Sequence, residues 1–97
     1  MSSLRIIWTE QPRNELRRIY QYYKSRSEQG AKNVFDDIVN APKAIHFAEQ
    51  YQLDDINPRY RRIIVRDYKL LYTVKKNIIQ ILDVISTRQS PEILKRK

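Results

Sequence analysis

The chain has 97 residues, 19 of them Lys or Arg against 11 Asp or Glu, giving a formal net charge of +8 and an isoelectric point near 9.9. That length holds one small domain, 1–97, and folding at this size hides roughly two thirds of the unfolded chain's surface, enough for one modest core. The absence of cysteine excludes a disulfide framework, a thiolate metal site and cysteine catalysis, and no apolar run approaches the roughly 18 residues of a membrane span.

Leu4-Arg5-Ile6-Ile7-Trp8 is short, apolar and β-branched, and reads as a strand leading into Thr9, an N-cap residue, with Pro12 tolerated in the first helical turn. Leu16, Ile19, Tyr20 and Tyr23 then recur at i, i+3, i+4 and i+7, which predicts a helix ending near Arg26. A second helix is predicted after Ser27, with Ala31, Val34, Phe35 and Ile38 on one face, and Pro42 stops it near Asn40 or Ala41. A short helical piece is expected over Lys43 to Glu49. Gln50 to Pro58 reads as a loop, turned by Asp54, Asp55 and Asn57-Pro58.

From Tyr60 the period changes to that of strands. Tyr60–Arg66, Lys69–Lys75 and Ile78–Ile85 are three β-rich runs, separated by Asp67-Tyr68 and Lys76-Asn77, and such short connections imply an antiparallel meander. Alternation puts Ile63, Val65, Leu70, Tyr72 and Val74 on one face, and Arg62, Ile64, Arg66, Lys69, Leu71, Thr73 and Lys75 on the other. The basic side chains are thus expected on one side of the sheet. With the helical hairpin on the other side, the fold class is α+β, in the order β-α-α-β-β-β, with the first strand joining a small antiparallel sheet. A single helical turn is expected after Ser90-Pro91, in the tail ending Lys95-Arg96-Lys97.

Charge is divided unequally along the chain. Residues 1–58 carry eight basic and eight acidic side chains, whereas residues 59–97 carry eleven basic and three acidic, so the whole net charge belongs to the C-terminal part. A field of one sign on part of a small domain attracts polyanions, either nucleic acid or an acidic protein segment, although a solvated face is the plainer explanation of any one basic stretch. Hydrolytic motifs are scarce. There is no Gly-rich phosphate loop, no paired metal-ligand spacing and no Ser-His-Asp pattern, the only histidine being His46, which reads as a surface or packing residue. No metal or cofactor is called for.

What remains is a constellation of Arg59, Arg61, Arg62, Arg66, Lys69, Tyr72 and Arg88. Arginine forks suit phosphate oxygens and lysine is a compact cation, so such a surface can neutralise the pentavalent phosphate formed when an RNA 2′-hydroxyl attacks its own 3′-phosphate, without a metal. Glu49 is a weak candidate base. Tyr72, between Leu70 and Val74, reads as core. The alternative is that these cations bind an acidic partner or keep an edge strand soluble.

Taken together, the strand ending in Trp8-Thr9, the helix with Leu16, Ile19 and Tyr20, the segment Asp67-Tyr68-Lys69-Leu70-Leu71-Tyr72-Thr73-Val74 and the final Arg88-Gln89-Ser90-Pro91 resemble the RelE/ParE family of toxins of bacterial type II toxin–antitoxin pairs. The resemblance spans nearly the whole chain. It implies a small antiparallel sheet packed under an N-terminal helical hairpin, and an acidic cognate antitoxin as partner; the lack of cysteine, of a membrane-length apolar run and of a charged-then-apolar N-terminal layout separately gives the expectation of a cytoplasmic protein. The resemblance also implies growth inhibition by one of two routes. Members that cut mRNA on the ribosome use a basic set: Lys69 falls at the arginine position that follows the strand turn, Arg88 matches the arginine beyond the last strand and Arg62 lies near the first of the strand lysines, whereas Ile64 stands close to where a second strand lysine is expected and the tail has Leu94 in place of a tyrosine or histidine. ParE-branch members lack that set and poison DNA gyrase. The expectation from the sequence places metal-independent mRNA cleavage first, with Arg62, Arg66, Lys69 and Arg88 holding and stabilising phosphate and Arg59, Arg61 and Lys75 binding the substrate strand. Gyrase poisoning is the alternative, and a non-toxic basic binding module the second.

Overall fold

The computed structural model describes residues 4–88. Strand β1 (Arg5–Trp8) is followed by helices α1 (Glu10–Lys24) and α2 (Glu28–Asn40), two short 3₁₀ turns (Ala41–Ala44 and Ala48–Gln50), and strands β2 (Arg61–Val65), β3 (Tyr68–Lys75) and β4 (Ile78–Ser86). The α+β class and element order are as the hydrophobic pattern predicts. The expected turn at the extreme C-terminus lies outside the described residues.

Each helix begins where its first residues can satisfy free amides or anchor the chain. Thr9 precedes α1 in extended conformation, but its hydroxyl does not cap the helix. The side chain instead donates to the carbonyl of Ile81 at 2.8 Å, and the Thr9 amide donates to the same oxygen at 3.2 Å, which ties the start of α1 to β4. Ser27 does cap α2, its Oγ accepting from the Gly30 amide at 3.0 Å. Leu16 and Ile19 of α1 and Val34 and Ile38 of α2 form one buried cluster with Ile63, Leu70, Tyr72, Ile79, Ile81 and Val84 of the sheet. Tyr20 and Phe35 close the helical hairpin edge-to-face at 5.9 Å.

The helical piece expected over Lys43 to Glu49 is broken in two. Ile45 adopts an extended ψ of 121° and is buried, while the Gln50 side chain bridges the gap, donating to the Ala44 carbonyl and accepting from the His46 amide.

The sheet order is β1-β4-β3-β2. β2, β3 and β4 form the antiparallel meander, but β1 pairs with β4 in parallel, Arg5 opposite Ile78 and Trp8 opposite Ile81, so the sheet is mixed. This follows from the two helices that separate β1 from the meander and return the chain across the sheet. The first meander turn is made by Arg66-Asp67, one residue earlier than predicted, with Arg66 at φ 53°; Lys76 and Asn77 make the second with φ 49° and 65°. A bulge interrupts the β3–β4 register: Leu71 pairs with Asp83 but Tyr72 with Ile81, leaving Leu82 as an extra residue. That residue resets the alternation, so Ile79, Ile81 and Val84 all pack in the same core under the helices.

The face without helices is not bare. The segment following the second 3₁₀ turn crosses it, and Ile56 and Tyr60 pack on Leu71 and Ile85 in a second small cluster.

Candidate functional site

Because that segment carries carboxylates, it changes the electrostatics of the face expected to be basic. Asp54 is buried there, its Oδ1 2.7 Å from Lys69 Nζ and 3.7 Å from Arg62 Nη1, while Arg62 also lies 3.4 Å from Asp55. The other Asp54 oxygen accepts the amides of Ile56 and Asn57 at 3.1 and 2.8 Å. Burial alone would raise the Asp54 pKa, but the Lys69 ammonium and these amides outweigh it and hold the carboxyl below its ordinary range. The Lys69 side chain is 8% exposed.

At the end of the sheet formed by the β2–β3 turn, Arg66 reaches back to α2 and donates from Nε to Asp37 at 2.7 Å. Arg88, just beyond β4, pairs with Asp67 at 2.6 Å and lines a groove with Arg18, Tyr22, Tyr23 and Tyr68. Burial, and then the neighbouring Tyr23 hydroxyl, push the Tyr68 phenol above its usual pKa, with Asp67 adding to the rise and Arg88 opposing it.

At the opposite end lie Arg59, Arg61 and Lys75, which line one groove together with Glu49, Tyr72 and Thr73. Arg61 donates from Nη1 to the Tyr51 carbonyl at 2.8 Å. Glu49 therefore stands with this group and not beside Lys69 or Arg88. His46 is exposed and takes part through its backbone amide. Tyr72 is fully buried in the main core, as its position between Leu70 and Val74 predicts.

The single basic face expected from alternation is thus divided among three places. Arg62 and Lys69 share the helix-free face, under the crossing segment; Arg66 and Arg88 sit at one end; and Arg59, Arg61 and Lys75 sit at the other. Arg61 and Arg62 are adjacent in β2 and so point to opposite faces. Arg66 leaves the alternation altogether because it belongs to the turn. The residue the sequence did not single out is Asp54: Asp-Asp-Ile-Asn-Pro signals a turn whose side chain accepts nearby amides, but nothing local signals that the same carboxylate reaches Lys69. Among the described residues, no group of three or more His, Asp and Glu is placed to share a metal ion, and no helix is long and apolar enough to cross a membrane.

The fold and the chain have known counterparts. A solved structure titled as the chromosomal ParDE TA system from P. aeruginosa has the same architecture, with a TM-score of 0.73 and 21% sequence identity over 86% of this chain and 95% of that one. No curated protein matches the sequence. The family described as the ParE toxin of the type II toxin–antitoxin system, parDE, matches residues 6–91. With nearly every described element inside that match, from the second residue of β1 past the end of β4, the chain belongs to the ParE toxin family of type II toxin–antitoxin systems.

Proposed function

We propose that this toxin arrests growth by binding and poisoning DNA gyrase, without nuclease chemistry, and that an acidic cognate antitoxin holds it silent. The observation that carries the reading is the lock on Lys69. A cation that stabilises a phosphorane must meet the substrate with its charge free, and here the ammonium is buried against Asp54 at 2.7 Å. Arg62, Arg66 and Arg88, the other members of the expected catalytic set, each face a carboxylate as well. Family membership in the ParE branch supports the same reading. The similar P. aeruginosa structure is titled as a ParDE system, and with the +8 charge of this chain it supports an acidic antitoxin as partner.

The test is to express the chain without a partner in a bacterial host and to assay it against purified gyrase. Expected are inhibition of supercoiling, accumulation of double-strand breaks and intact transcripts. Ribosome-dependent cleavage of mRNA, with gyrase unaffected, overturns the proposal.

A further inference from the structure

The groove lined by Arg59, Arg61 and Lys75 has features that the toxin reading leaves unexplained. β3 runs past the start of β2: Arg61 pairs with Tyr72, whereas Thr73, Val74 and Lys75 pair only with β4. The groove occupies this notch at the edge of the sheet. Arg59 and Lys75 are exposed, and neither has a carboxylate partner among the described residues. Arg61 spends one donor on the Tyr51 carbonyl and keeps its remaining N–H groups. Tyr72 belongs to the same lining, where its fully buried side chain, with the hydroxyl against the Tyr51 backbone, forms the rigid floor of the groove. Glu49 is the one carboxylate of the groove.

The positive charge continues beyond the notch. Lys76 lies in the β3–β4 turn, and Arg5 opens β1, its amide donating to the Asn77 carbonyl at 2.9 Å; both side chains are exposed. β1, β4 and β3 are consecutive in the sheet, so cations are spread along its end over about two interstrand spacings, roughly 10 Å. One small anion would satisfy the notch and leave the rest unused. A ligand with a regular row of negative charges uses all of it.

We propose that this end of the sheet binds the phosphate backbone of a nucleic acid, Arg59, Arg61 and Lys75 taking one phosphate in the groove and Arg5 and Lys76 its neighbours. The surface is distinct from Lys69 and Arg88, and the inference does not depend on gyrase as the target, since it requires only nucleic acid. Binding of this kind is positioning by charge and donors, without base readout.

The experiment measures fluorescence anisotropy of a labelled DNA duplex and of a labelled single-stranded RNA, each of about 12 nucleotides per strand, over a series of salt concentrations. Two proteins are compared with the wild type: Arg59→Ala/Lys75→Ala and the charge-matched control Arg13→Ala/Lys24→Ala on α1. The groove variant is expected to lose affinity about tenfold or more and to lower the slope of log affinity against log salt by about 2, while the control loses much less. The tighter of the two nucleic acids identifies the source of the phosphates. Equal losses in the groove variant and the control, or equally good binding of a poly-glutamate of matched length, overturns the proposal.

Discussion

Lys69 shows how far one residue's role depends on its partner. As a lysine on an alternating strand it reads as a free cation; in the fold it is a buried cation held by Asp54. Removing one member of such a pair leaves the other charged and desolvated, at a cost of about 3–5 kcal/mol. Asp54→Asn strands Lys69 and also weakens the acceptor for two amides, whereas Lys69→Met leaves Asp54 with Arg62 at 3.7 Å. Denaturant titration should therefore find Asp54→Asn the more destabilised of the two. Since the folded Asp54 carboxyl titrates below its unfolded value of about 3.9, the stability it contributes is present above that pH and lost as pH falls through the lowered folded value. In wild type, stability measured by urea unfolding should decline more steeply below about pH 4 than in Asp54→Asn.

At the level of elements, the helices and turns leave room for improvement that the fold does not forbid. Gly30 lies inside α2, and a Cβ built there comes no nearer than 3.4 Å to Ser27, an ordinary contact. Gly30→Ala should raise stability by about 0.5–1 kcal/mol, visible as a higher melting temperature. The Lys76-Asn77 turn places two side-chain-bearing residues in the left-handed region, where the second position strongly favours glycine. Lys76→Asn/Asn77→Gly should stabilise the β3–β4 hairpin, by about 1 kcal/mol in thermal unfolding. Arg66, with φ 53°, is the corresponding feature of the first hairpin, and its ion pair with Asp37 fastens that turn to α2.

For the whole molecule, the distribution of charge separates the routes to toxicity. A nuclease of this family would lose its effect with Arg88, whereas a binding toxin tolerates the loss of an exposed pair. The Arg88 side chain is 73% exposed, and its pair with Asp67 is worth at most about 1 kcal/mol. Arg88→Ala is therefore expected to arrest growth as the wild type does, scored by colony formation after induction in the absence of antitoxin, and to unfold at nearly the same denaturant concentration.

The helical stripes from Leu16 to Tyr23 and from Ala31 to Ile38, the stop at Pro42 and the β-rich runs after Tyr60 were all legible because each is set by spacing within a dozen residues. Class and order follow from them. The partner of each cation did not follow, because it depends on contacts between distant segments: Arg66 meets Asp37 across 29 positions, and Asp54 reaches Lys69 only because its segment crosses the face of the sheet that carries no helix. The extra residue in β4 likewise moves Val84 to the core side, which a strict two-residue period cannot foresee. Composition alone determined that this molecule is strongly cationic; tertiary structure decided which of its charges are neutralised internally and which remain for a partner, since an ion pair forms where the chain brings opposite charges within a few ångströms.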